Sequence, residues 1–146
     1  MDRIQQTIVL HRDEGLNCAQ AVITAFGGTL GIDRRTAQML GRPWAGGIGH
    51  QAGLCGYLSG AVVVLGKAFD KLDENQAVRK TDEAVQKLFR RFKERRQFTC
   101  CKDLLGADLT TDAGVTRILE ENLVGNRCKG EKGIGKDVAE ILASLM

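Results

Sequence analysis

Apolar residues recur along this chain at three- and four-residue steps, and glycines and capping residues cut the pattern into short helical segments. Ile4, Ile8 and His11 mark a first helix that ends near Gly15. Asn17 stands as the N-cap of a second, whose stripe of Cys18, Val22, Ala25 and Phe26 is stopped by Gly27 and Gly28. Asp33 caps a short third helix ending at Gly41, where Pro43 prevents continuation. A glycine-rich loop follows, then a fourth helix predicted from about His50 to Leu72. Its Val62-Val63-Val64 run favours a strand locally, but the surrounding apolar spacing favours a helix. Asp73 with Gln76 resembles a capping box before a fifth helix carrying Val78, Val85, Leu88, Phe89 and Phe92. A short turn at Cys101–Leu105 ends at Gly106. Asp112 opens a sixth helix through Val115, Ile118, Leu119 and Leu123 to Gly125, and Val138, Ile141, Leu142 and Leu145 define a last one. No segment alternates as a strand would. The pattern predicts an all-α, single-domain bundle of about six or seven helices over residues 1–146, with a glycine-rich loop before the central helix.

Composition narrows the class. A chain of 146 residues fits one domain and buries enough surface to fold without a disulfide or metal. At 43% apolar and 27% charged, it is neither a disordered chain nor a disulfide scaffold. A net charge of +3 is too mild to name a polyanionic partner. The basic run Lys87, Arg90, Arg91, Lys93, Arg95 and Arg96 reads as a solvated face, with docking of an acidic partner as the alternative. Phe89 and Phe92 continue the apolar stripe and do not form an exposed stacking platform, so no nucleic acid is expected. Pro43 to Gly66 lacks Asp, Glu, Lys and Arg, but its seven glycines with His50, Gln51 and Ser59 suit a buried helix and its lead-in loop. No membrane insertion is expected. The first residues show no apolar core of signal-peptide length, so a cytoplasmic location is expected. There, five cysteines should be thiols, metal ligands or catalytic groups.

Two glycine motifs resemble phosphate loops and fail on context. Gly130 to Lys136 has the spacing, but Asp137 stands where a magnesium-binding Ser or Thr belongs, and no strand precedes it. Gly47-Ile48-Gly49-His50-Gln51-Ala52 also lacks the preceding strand of a dinucleotide fold. Glycines 49, 53, 56 and 60 would stack on one side of the fourth helix, each at a cost of about 1 kcal/mol relative to alanine. Something must approach that backbone closely. Another helix is the first candidate; a flat or bulky cofactor against Gly53, Gly56 and Gly60 is the second. His11 reads as a hydrogen-bonded core residue, and His50 as either that or a ligand or proton donor near Cys55.

Cys18 falls in the first turn of its helix, where free amides favour thiolate and should lower its pKa, although its apolar stripe opposes this by burial. No cysteine pair has CxxC spacing, so spacing alone points to no chemistry beyond buried thiols. The segments Gly15-Leu16-Asn17-Cys18-Ala19-Gln20-Ala21-Val22, Cys55-Gly56-Tyr57-Leu58-Ser59-Gly60 and Cys101-Lys102-Asp103-Leu104-Leu105-Gly106, followed by Cys128, occur in that order. Together they resemble the motifs of the C_GCAxxG_C_C family of small bacterial and archaeal redox-active proteins. Tyr57 departs from the family's alanine and should narrow any pocket beside Cys55; Cys100 has no family counterpart. The resemblance implies a redox role for four clustered cysteines. Three readings follow from it. One is thiol–disulfide or electron-transfer chemistry, a thiol-based oxidoreductase, with Cys18 as attacking thiolate, Cys55 as resolving partner, and a redox protein or small-molecule electron donor. Another is a zinc ion or iron–sulfur cluster held by Cys18, Cys55, Cys101 and Cys128. The last is a non-catalytic interaction domain. Either of the first two requires the four sulfurs to meet, with Cys100 turned away.

Overall fold

The computed structural model describes all 146 residues. It is 69% helical with no strand, as the periodicity predicts. The α-helices are α1 (Arg3–Arg12), α2 (Cys18–Gly27), α3 (Arg34–Gly41), α4 (Gly56–Ala68), α5 (Glu74–Arg96), α6 (Cys101–Leu105), α7 (Asp112–Glu120), α8 (Leu123–Arg127) and α9 (Ile134–Leu145). Two single 3₁₀ turns, Gly28–Leu30 and Arg42–Trp44, extend α2 and α3. The nine helices exceed the six or seven expected because the stretch after α5 divides into three short ones. The expected sixth helix breaks at Asn122, whose backbone is left-handed with φ 48°.

Local capping chemistry sets the helix starts. Asp2, Asn17, Asp33 and Asp73 each accept a hydrogen bond from the backbone N–H three residues on. At Asn17 the box is closed, because the Gln20 side chain accepts from the Asn17 N–H at 3.0 Å. Asp73 makes only its forward bond to Gln76, at 3.1 Å.

The core is built on α2. Its buried Ala19, Val22, Ile23 and Phe26 pack chiefly on α4, with α1 and α3 alongside. Helix α9 closes the bundle against α1, α4 and α5, burying Val138, Ile141 and Leu142 near Leu88 and Phe92. Arg95 and Arg96, from the basic run, pair with Asp137 of α9. Val78, Val115 and Leu119, read from sequence as stripe members, stand exposed. Leu105, Ala107, Ile118 and Leu123 form a separate small core under α6, α7 and α8.

The central helix is shorter than its pattern suggests: α4 begins at Gly56, not near His50, and ends at Ala68, short of Leu72. Residues 46 to 50 and Ala52 all have positive φ, between 57° and 77°. This left-handed coil closes on itself through bonds such as Gly49 N–H to Pro43 O at 2.7 Å and Ala52 N–H to Gly46 O at 2.9 Å. Gly49 and Gly53 therefore precede the helix, and only Gly56 and Gly60 of the four expected glycines share its face.

At Gly60 the close neighbour is a helix. A Cβ there would lie 2.9 Å from Ala19 O and 3.1 Å from Ala19 Cα, both backbone atoms that cannot swing aside. Gly60→Ala should therefore push α2 from α4 and cost about 1–3 kcal/mol in urea denaturation. Gly66→Ala, on the same helix with nothing within 4 Å of its added Cβ, should stabilise by roughly 0.5–1 kcal/mol. Equal effects at both sites would show that helix propensity, not contact, decides.

Candidate functional site

Four helix ends deliver the four family cysteines to one place. Cys18 is the first residue of α2, Cys55 caps the start of α4, Cys101 opens α6, and Cys128 closes α8. All four line one cavity of about 240 Å³, together with His11, Tyr57 and the apolar Leu105, Leu109 and Val124. Cys100 is not among the lining residues. The reason is a single antiparallel bridge between Leu54 and Cys100. Cys55 N–H donates to Thr99 O at 2.8 Å, and Cys101 N–H donates to Gly53 O at 2.7 Å. Alternation along an extended pair then puts Cys55 and Cys101 on one face and Cys100 with Leu54 on the other. This register turns Cys55 and Cys101 to the cavity side and Cys100 away from it; all four family cysteines line the cavity, but their side chains are not gathered closely enough to ligate one ion.

The glycines named from sequence take different places. Gly53 supplies the carbonyl that anchors Cys101. Gly56 faces Cys18, since a Cβ there would overlap the Cys18 Sγ. Gly60 is filled by Ala19 and Val22. His50 lies exposed at the cavity edge, on the left-handed coil.

The electrostatics reverse one expectation. Backbone N–H groups of Ala19, Cys18, Gly46 and Gly56 all bear on the Cys18 sulfur and favour thiolate. Burial outweighs them, and the Cys18 thiol titrates above its ordinary value, not below it. Burial, reinforced by the neighbouring Cys18 and Cys128, pushes Cys55 up strongly. Burial likewise moves Cys101 to about 11 and Cys128 to about 12. At neutral pH the site holds neutral thiols, and all five cysteines are unpaired. No three His, Cys, Asp or Glu side chains are gathered as ligands of a single ion.

Beside the thiols lies a pair that sequence reading kept apart. The Tyr57 hydroxyl makes a short hydrogen bond with His11 Nδ1 and donates to Cys128 O at 3.2 Å. Their rings meet edge to face with centroids 5.3 Å apart. Tyr57 is packed so closely on α9 that a Cβ at Gly135 would come 2.6 Å from its ring. The departure from the family's alanine thus fills space and ties α1, α4 and the Cys128 backbone together. The sequence signals were present, a histidine on an apolar stripe and a phenol in a small-residue motif, but nothing local joins positions 46 residues apart.

A family model described as "Putative redox-active protein (C_GCAxxG_C_C)" matches residues 16–145, and the chain belongs to this family. No curated protein and no solved structure matches the chain. No helix is long and apolar enough to cross a membrane.

Burial, then the nearby Lys129 charge, lowers the His11 pKa from 6.5 to about 4. Between those values the unfolded chain binds a proton that the native chain refuses. The stability is therefore complete above about pH 6.5 and is lost as pH falls toward 4, by up to about 3 kcal/mol. The depressed carboxylates Asp13, Asp33, Asp70 and Asp108 titrate below their ordinary 3.8, outside this window. Denaturation at successive pH values should show the slope in the native chain and a flatter one in His11→Asn.

Proposed function

We propose that the cavity is a thiol redox centre in which Cys18 and Cys55 interconvert between dithiol and disulfide. The observation that carries this reading is the meeting of all four family cysteines around one small cavity. In the oxidising direction the two thiols give up two protons and two electrons and form one S–S bond. A partner disulfide that accepts both becomes two thiols, so the exchange balances without another reagent. Cys18 is the natural attacking atom, because it opens α2, where the backbone N–H groups of the helix start, with those of Gly46 and Gly56, favour charge as it develops.

The same N–H groups favour a second reading, since hydrogen bonds to ligating sulfurs are also how proteins tune iron–sulfur clusters. The side chains are not gathered for one ion, so a single zinc would require the sulfurs to move inward. The donor set for a cluster would be Cys18, Cys55, Cys101 and Cys128, with Lys129 and Arg96 offering positive charge near Cys128.

Anaerobic purification with metal and acid-labile sulfide analysis separates the two. The thiol reading expects no stoichiometric metal, and the loss of two thiols per chain on mild oxidation, with Cys18 and Cys55 recovered in one disulfide-linked peptide pair. Cys18→Ser should abolish that link and leave the helical circular dichroism unchanged. Stoichiometric iron and sulfide, with loss of both and of stability in Cys18→Ser, would replace the thiol reading with the cluster reading.

A further inference from the structure

The walls of the cavity that the four family cysteines share carry no formal charge. No Asp, Glu, Lys or Arg lines it, and Ala45, Leu105, Leu109 and Val124 give it apolar walls. Its polar side chains are already committed within the fold. Asn17 accepts from the Gln20 N–H and donates to the Gly41 carbonyl, while His11 and Tyr57 bond to each other. A cavity built for a polar ligand keeps a few donors or acceptors turned toward it. Here the one buried side-chain oxygen without a partner, Thr24 Oγ1, belongs to a residue outside the cavity. Lys129 and Arg96 carry positive charge near Cys128, but neither lines the cavity, and Arg96 is paired with Asp137. The space is also small. Its 240 Å³ falls below the roughly 300–1,000 Å³ of pockets that hold drug-sized ligands.

We propose that the disulfide with which this centre exchanges is a small, uncharged molecule and not a charged peptide disulfide. This rests on the thiol redox reading above and names its substrate class. Cys18 attacks R–S–S–R, forming Cys18–S–S–R, and the Cys18 proton leaves with the departing RSH. Cys55 then attacks the Cys18 sulfur, passes its proton to the second RSH and leaves the Cys18–Cys55 disulfide. The sum is one small disulfide reduced to two thiols and one protein disulfide made. Between the two steps R is joined to Cys18 at the cavity. Because Cys55 is buried, R is displaced from within the fold, and the walls act on both its bulk and its charge. A carboxylate or ammonium on R loses water there and meets no counter-charge on the walls, whereas an alkyl or hydroxyalkyl R loses far less.

The test uses the full native chain, reduced anaerobically, and three disulfides of nearly the same length: neutral bis(hydroxyethyl) disulfide, anionic dithiodipropionate and cationic cystamine. Oxidised glutathione adds a bulky, charged peptide. Samples are quenched in acid, alkylated and mapped by peptide mass spectrometry for the Cys18–Cys55 link. Each rate is divided by that of thiol loss in the same chain unfolded in urea, which removes the reagent's intrinsic reactivity. The neutral reagent should then lead both charged ones, and oxidised glutathione, by about tenfold or more. Leu109→Lys, which puts a cation on the wall, should raise the dithiodipropionate rate relative to the neutral one by about fivefold. Leu109→Met should keep the native order, and circular dichroism checks the fold of both variants. A charged reagent that matches the neutral one, or oxidised glutathione that does so, overturns the substrate class and leaves the thiol redox reading standing. No Cys18–Cys55 disulfide with any reagent overturns the thiol redox reading itself, and the substrate class with it.

Discussion

The close contact between α2 and α4 is the constraint on which the rest depends. Two helix starts can converge only where one of them has no side chain in the way, and α4 provides this at Gly56 and Gly60. Gly60 lets the α4 backbone rest on Ala19, one turn along from where Gly56 leaves room for the Cys18 sulfur. Each glycine costs about 1 kcal/mol of helix propensity, and burial of Ala19, Val22, Leu58 and Ala61 in the shared interface offsets it. A third glycine repeats the device on the other side of α2. A Cβ at Gly41 would come 2.6 Å from Gln20 N, so α3 is seated directly on the capping box that fixes Cys18. The helix that carries the central thiol is thus held on two sides by backbone, which leaves its sulfur little freedom except toward the cavity.

Strain is concentrated on the opposite wall. Ile48, His50 and Ala52 hold left-handed backbone that L-residues avoid at a cost of about 1–2 kcal/mol each, and Ile48 is β-branched. The internal hydrogen bonds of the coil maintain it, and its Gly46 lines the cavity together with Cys18. Backbone strain that survives selection for stability tends to lie beside chemistry, and here it borders the cavity that the four family cysteines line.

What could be read from sequence was what is decided locally. Asn17, Asp33 and Asp73 cap helices because each bond spans three residues. The sequence pattern starts α4 too early because glycines at 49, 53, 56 and 60 imitate helical spacing, while a left-handed coil carries no apolar period of its own. The meeting of the cysteines was legible only through the family motifs, since spacing along the chain gave no ligand pattern. That Cys101 and not Cys100 faces inward depends on register with residues 53–55, which no property of Cys100 or Cys101 encodes. The Cys18 pKa shows the same split. The amides of Cys18 and Ala19 are local to the helix start, whereas the burial that overrides them comes from tertiary packing, in which Gly56 of α4 faces the Cys18 sulfur.

Burial also selects which redox states this site can hold. A thiolate deep in an apolar pocket is unfavourable, as the upward shifts of all four thiols show, whereas a dithiol and a disulfide are both uncharged. The end states are therefore compatible with the core, and only the attacking species is not. Charge is tolerated best where solvent or backbone N–H groups support it, which here means the half-buried Cys18, Cys101 and Cys128, with the start of α2 adding its N–H groups at Cys18. Cys55 is the one buried thiol of the five and is flanked by two other sulfurs, so it suits the last step of an exchange better than the first. One buried thiol and three half-buried ones thus differ in how much negative charge each position can carry, and Cys55 is the least suited to it.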